Sequence, residues 1–534
     1  MADPLLRRRT MSRKIREEAA REQYLAPNPL HVNNGDEARY PRKFGSSTKG
    51  LAHDAITGEV FPAAYDAMIA ALRSGEFNDF QALATNGHLG CAANPVMQRR
   101  FVNPQSAYAY DLEGIDSHQL TMRPAPAFAS AEEAGEMVEL YWMSLLRDVN
   151  FEDYPGHPIA LAAAADLTAL SDFRGPRDGG AVTPRTLFRD SYPGCTDGPY
   201  ISQFLLQPIN FGAQSIDTKI LTNVPNVDFV TNFADWLNVI NGCNPPLNPA
   251  IGGGGRVYCY NGRALSQYVH ADVLFQAYLV ACVNLLGGSY PGDAGNPYGQ
   301  FIDHTGTGLP LPAGMSGSIA DIGFGTFGAP WIATLVCEPA TRALKHQWYQ
   351  KWLVHRRLRP EEFGGHVEAQ RLAVAGYPFH ADLFGSAVLD GPGGIFATFG
   401  SHLLPQAFPE GSPVHTSYGS GHATVAGACV TMLKWFFDES AEIQNPMIPD
   451  PAAPDNLVPY VGPSLTVGGE LNKLASNISQ GRNIAGVHWR TDATEANKLG
   501  ETIAISMLKE LSGLYNEPFN GFSVTRFDGT TLSV

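Results

Sequence analysis

The chain has 534 residues, 44% of them apolar and only 17% charged, with a formal charge of −15. That balance fits a large folded core and excludes a disordered chain, a general nucleic-acid binder and a protein held on an anionic membrane by charge. No run reaches the ~20 apolar residues of a membrane span; the best, Val273 to Leu286, is interrupted by Gln276 and Asn284.

Residues 1–60 read as an arm. A charged stretch from Met11 to Gln23 predicts a polar helix, and turn-rich sequence follows to Gly58. With no apolar face of its own, the arm is expected to stay loose or to pack on a neighbouring subunit, which points to a homo-oligomer. Residues 61–534 are expected to form one large helical domain. Ala63 to Leu72 is amphipathic, Ser130-x-x-Glu133 forms a capping box opening a helix to about Arg147, and Ile159 to Leu170 is rich in Ala and Leu. From 171 to 262 the chain reads as loops, and its Gly252 to Gly255 run lacks the strand-to-helix context of a nucleotide site. Leu265 to Leu286 predicts a long apolar helix carrying His270 and Asp272. A charge inside such a helix needs a partner, and a carboxylate paired within the core is the expected outcome. Neither βαβ alternation nor a repeat is present, so the class is mainly α.

Seven cysteines show no zinc-type spacing. Cys282, Cys337 and Cys429 fall in apolar helical runs and read as buried thiols, whereas Cys195, Cys243 and Cys259 fall in Gly/Pro-rich loops where a disulfide can form. Arg7-Arg8-Arg9 is followed by no apolar stretch, so no export signal is complete and a cytoplasmic location is expected.

The second half carries the chemistry. Ala340 to Leu358 predicts a helix that Pro360 ends, and Lys351, His355 and Arg359 recur along it at i, i+4 and i+8. Long Lys and Arg side chains from two turns apart can converge on one anion, although Arg356 and Arg357 also suit a solvated basic face. His415-Thr416-Ser417-Tyr418-Gly419-Ser420-Gly421-His422 reads as a tight turn opening directly into a buried helix, Val425 to Phe437. Backbone N–H groups and the helix dipole at such a start hold an oxyanion, with Ser420 as the capping residue. Leu471 to Ile484 is a further amphipathic helix, stopped by Gly486, so that Arg482 and His488 can converge; Asp492 lies four residues beyond and can fix the histidine tautomer. Ala493 to Leu511 closes the set.

In this order, Lys351-x7-Arg359-Pro360, Ser420-Gly421-His422 and Arg482-x5-His488-x3-Asp492 resemble the three-part signature shared by vanadium-dependent haloperoxidases and the phosphatidic acid phosphatase superfamily. Asn34-Gly35-Asp36-Glu37, Thr48-Lys49-Gly50-Leu51 and the stretch Gly198 to Phe204 are similar to the algal and cyanobacterial bromoperoxidases in particular. Gly419 departs from the pattern, which usually has proline there. The resemblance implies two four-helix bundles with long irregular loops and few short strands, a scaffold half over 61–330 and a vanadate-site half over 331–534. It implies vanadate as cofactor, held by Lys351, Arg359, Ser420, Gly421 and Arg482, with His488 as the metal ligand and His422 as the acid–base residue. Hydrogen peroxide, bromide or iodide and small organic acceptors are the implied substrates, Lys351 also activating the peroxide. His415 follows the bromoperoxidase pattern, where chloroperoxidases carry phenylalanine, and is expected to change charge near neutrality beside Trp348. An acid phosphatase using His488 as nucleophile is the alternative the same motifs allow.

Overall fold

Helix Gly421–Phe436 forms the centre of the molecule, every residue in it but His422 being buried. Small residues let its neighbours approach to backbone contact. A Cβ on Gly427 would meet Asn497 O at 2.1 Å, and one on Gly500 would meet Thr424 O at 2.0 Å, so this helix and Arg490–Ser512 cross with nothing between them. Val467–Ile484 and Pro339–Tyr349 complete a four-helix bundle around the crossing. In a second group of four, Ala131–Leu145 packs against Pro158–Ala169, Ala381–Gly385 and Ala387–Asp390. The computed structural model describes residues 4–85, 91, 98–245, 248, 250–318 and 320–534. Strands within them form only short two-stranded antiparallel sheets, the longest pairing Met447–Asp450 with Ala453–Pro459. Among the described residues no helix is long and apolar enough to cross a membrane.

Several local expectations change. The polar helix of the arm runs over Pro4–Leu25 and is largely exposed, yet residues 44–51 are buried in the chain's own core. Ser130 caps Ala131–Leu145, accepting from Glu133 N at 3.1 Å. The stretch 171–262 contains a helix, Phe233–Ile240, with Asn232 as its cap. The predicted helix Leu265 to Leu286 is two helices, Gly262–Tyr268 and Gln276–Gly287. One tertiary and one local bond explain the break: Arg482 Nη1 donates to Val269 O at 2.8 Å, and Val273 N donates to the Gln276 side chain at 3.2 Å. Likewise Ala340 to Leu358 ends early. A π-helical turn, Gln350–His355, follows Tyr349, and Arg356 takes φ 43°, which leaves Arg359 extended as the N-cap of helix Pro360–Arg371.

Cys243 pairs with Cys91 rather than with another loop cysteine, closing a span of 152 residues. Cys195 and Cys259 are buried free thiols, and burial pushes Cys259 up to about 12. Cys282 and Cys429 are buried as expected, and Cys337 is half-buried.

Candidate active site

The turn before the central helix, the π-helical turn, the N-terminus of Pro360–Arg371 and the Arg482–Asp492 segment meet at one buried point. Ser420 caps the central helix, its hydroxyl oxygen accepting from Ala423 N at 3.4 Å, so the hydroxyl proton remains available to an oxyanion. A Cβ on Gly421 would meet Trp348 at 3.1 Å and Leu344 at 3.3 Å, so the turn is packed tightly against both side chains. Gly419 sits as closely, 2.9 Å from Met122 and 3.0 Å from Asp492 O by the same measure.

Lys351 Nζ donates to Thr416 O at 2.8 Å and to Ser417 O at 2.7 Å. Arg359 reaches from the opposite helix end, donating to His415 O at 2.9 Å and Val487 O at 2.7 Å. Its Nη1 also lies 3.0 Å from His488 Nε2. Arg482 is anchored on Val269 O, but its buried Nε has no partner among the described residues. The expected residues Lys351, Arg359, Ser420, Gly421, Arg482 and His488 are thus brought together. His488 Nδ1 stands 2.8 Å from Asp492 Oδ2, which fixes the proton on Nδ1 and leaves the Nε2 lone pair directed at the cradle. Ser417 Oγ donates to the same carboxylate oxygen at 2.5 Å.

These cations are under-neutralised. Burial pushes Arg359 down to about 10, Asp492 opposing and Arg482 adding to the shift. Burial also takes Arg482 to about 10, against the pull of Asp272 and Glu410. Burial and the neighbouring Arg359 lower Lys351 well below 10.5, and burial with Arg359 and Lys351 drives His488 well below 6.5, so its imidazole is neutral. Arg357, two residues from Arg359, is the contrast. Burial opposes its charge too, yet Glu133, Glu136 and Asp492 more than offset this and raise it. Arg356 pairs with Glu37 at 2.6 Å. The basic run is therefore not a solvated face: two arginines are satisfied and one is left for an anion.

His422 closes the cradle at its solvent edge, its side chain 24% exposed, with Nε2 3.1 Å from Asp272 Oδ1. Burial raises the Asp272 carboxyl, but the His422 imidazole outweighs that and holds it below its usual value. Here is the partner that the charge at 272 required; it faces the site because the helix breaks before it. His415 departs from expectation. Its ring lies 4.9 Å from Trp348 and 2.9 Å from Arg359 Nη2. Burial, Arg359 and Lys351 push it well below 6.5, so it stays neutral where a charge change near neutrality was expected. His355, the third member of the i, i+4, i+8 set, points away and packs edge-on to Tyr418 with both ring nitrogens unpartnered among the described residues.

Residues 396–517 match the family described as the VCPO second helical-bundle domain. The vanadium-dependent bromoperoxidase of Corallina officinalis is 34% identical to this chain, covering 96% of it and 93% of the relative. That of Ascophyllum nodosum is also 34% identical, over 90% of this chain and 84% of its own. The chain belongs to the vanadium-dependent bromoperoxidase family. A solved relative, the homohexameric second vanadate-dependent bromoperoxidase of Ascophyllum nodosum, superposes with a TM-score of 0.87 at 28% identity, over 99% of this chain and 91% of that one.

The donors in this bromoperoxidase-family chain fit a vanadium oxyanion: three buried cations short of counter-charge, an orphaned Arg482 Nε and one neutral imidazole nitrogen directed inward. Sequence reasoning missed the supports beneath them. Glu362 Oε1 accepts from Thr48 N at 2.6 Å and Lys49 N at 3.1 Å, while its Oε2 accepts from Arg359 N at 2.5 Å. The arm thus fixes the backbone of a site arginine. Lys49, which burial lowers to about 8 despite Glu361, donates to Glu361 at 2.5 Å. The only sequence signal for this was the family-like stretch Thr48 to Leu51.

Proposed function

We propose that this chain binds vanadate in the cradle and uses it to oxidise bromide and iodide with hydrogen peroxide, releasing hypohalous acid that halogenates small organic acceptors. The observation that carries the reading is the buried triad Lys351, Arg359 and Arg482, short of carboxylate partners, around a neutral His488 whose inward nitrogen meets only Arg359 Nη1, at 3.0 Å. When bound, vanadate supplies a Lewis acid that activates peroxide for two-electron halide oxidation.

The chain's own residues do the rest. His488 would hold vanadium through Nε2, with Asp492 holding its Nδ1 proton. Lys351, Arg359, Arg482, the Ser420 hydroxyl and the Gly421 N–H would hold the oxyanion by charge-assisted hydrogen bonds, with Lys351 placed to polarise peroxide as well. Converting peroxide, halide and a proton to hypohalous acid and water consumes that proton, and His422, at the solvent edge and oriented by Asp272, delivers it. His415 stays neutral against Arg359, and its polar ring beside Trp348 favours bromide over chloride. Leu5, Leu6 and Met11 are exposed on the arm helix, and the solved relative is a homohexamer; both support assembly with further copies of this chain. The test is bromide oxidation by peroxide in metal-free protein titrated with orthovanadate. Activity rising to saturation is expected, and a rate indifferent to vanadate would overturn the proposal.

A further inference from the structure

A second imidazole–carboxylate pair flanks the site, and the chemistry above leaves it unused. His270 Nε2 lies 2.6 Å from Glu410 Oε1, their side chains 25% and 24% exposed. These values match His422, whereas Lys351, Arg359 and Ser420 are fully buried. Both pairs are thus partly open to solvent, unlike the cradle itself. They are tied to the same arginine. Val269 O, which anchors Arg482, immediately precedes His270, and Asp272, the partner of His422, follows two residues later. His270 stacks on Phe408 at 3.8 Å, and that ring lies 5.8 Å from the Arg482 guanidinium. Asp272 and Glu410 are the two carboxylates whose charge Arg482 feels. From behind, Lys49 Nζ and Arg99 Nη1 donate to Glu410 O at 3.0 and 2.9 Å, holding the loop in place.

We propose that the His270–Glu410 pair governs halide affinity by setting the charge of the entrance, an inference that rests on the function proposed above. A halide approaching the cradle passes carboxylates at Asp272 and Glu410, each opposed by an imidazole. The His270 imidazole bonded to Glu410 offsets the carboxylate towards the incoming anion, and without that partner Glu410 presents its negative charge in full. The charged groups facing the pair are Arg482 from the bundle, Asp272 and His422 beside it, and Lys49 and Arg99 behind Glu410. All are kept when Glu410 or His270 is replaced, so the change at the pair is felt directly. A unit charge ~10 Å from the halide path, at an effective dielectric between ~20 and ~80, alters anion affinity about two- to fifteenfold.

Two variants move the charge in opposite directions. Glu410→Gln removes the negative charge and keeps a hydrogen-bonding side chain, while His270→Gln removes the neutralising partner and leaves the carboxylate. In vanadate-saturated enzyme E410Q should lower the KM for bromide and H270Q should raise it. Each change should be about two- to fifteenfold with kcat little altered. The double variant should return towards wild type, and a non-halide salt should shrink both effects, since screening acts over ~8 Å at physiological ionic strength. Both variants shifting KM the same way, or shifts insensitive to salt, would overturn the inference while leaving the proposed function standing. A wild type that oxidises no bromide would overturn both.

Discussion

Asp492→Asn tests the support of the metal ligand. The native carboxylate takes four donors: His488 Nδ1 at 2.8 Å, Ser417 Oγ at 2.5 Å and Trp489 N at 3.3 Å on one oxygen, Arg357 Nη1 at 3.0 Å on the other. Asparagine keeps the shape but loses the charge, and its amide nitrogen must face donors on either side. Turned to Arg357, it sets donor against donor; turned to His488, it favours the tautomer with its proton on Nε2 and removes the lone pair from the cradle. Outer-shell partners of metal-binding histidines are typically worth about 10–100-fold in metal affinity, or about 1.4–2.7 kcal/mol. Equilibrium dialysis of metal-free D492N against orthovanadate should show a dissociation constant raised by that factor, with unchanged circular dichroism. A dissociation constant equal to that of wild type would refute the reasoning that Asp492 orients the ligand.

Three more outcomes follow from the same geometry. Removing Lys351, Arg359 or Arg482 individually should weaken vanadate by about 1.5–3 kcal/mol, the usual worth of a hydrogen bond to a charged group; reconstitution titrations of the alanine variants check this. His422→Ala should retain vanadate yet lose about 10²–10⁴-fold in turnover, and Asp272→Asn should lose less; steady-state kinetics on vanadate-saturated enzyme separate the two. Burial, only partly opposed by Arg357, raises the Glu133 and Glu136 carboxyls above their usual 4.5. A raised carboxyl contributes stability that is fully present below its unfolded value and lost as pH rises through its folded value. Glu133→Gln should therefore gain Tm relative to wild type between about pH 5 and about pH 9, and a difference independent of pH would contradict the assignment.

The bundle helices and the six cradle residues were legible in the sequence because strong apolar periodicity and fixed motif spacing carry them. What stayed hidden depends on bonds between distant segments. Little local marks the break after Tyr268: Val273, Leu274 and Phe275 continue an apolar run, the Gln276 side chain that accepts from Val273 N is the nearby signal, and Arg482, more than two hundred residues away, claims the Val269 carbonyl. Because of that break, Asp272 faces His422 and His270 faces Glu410. The early end of the lysine-bearing helix has a similar origin, since Lys351 O accepts from Thr416 Oγ1 at 2.9 Å and from Arg356 N at 3.1 Å. Arg357 and Arg359 look equivalent in sequence; three carboxylates separate their roles, two of them on the distant Ala131–Leu145 helix.

The central claim is that His488 is the one protein ligand to vanadium in a cradle otherwise built from hydrogen bonds. Equilibrium dialysis of wild type and His488→Ala against orthovanadate tests it most directly. The account predicts stoichiometric, saturable binding by wild type and none by the variant over the same range, with fold and Tm preserved. Retention of vanadate by His488→Ala at wild-type affinity would contradict it.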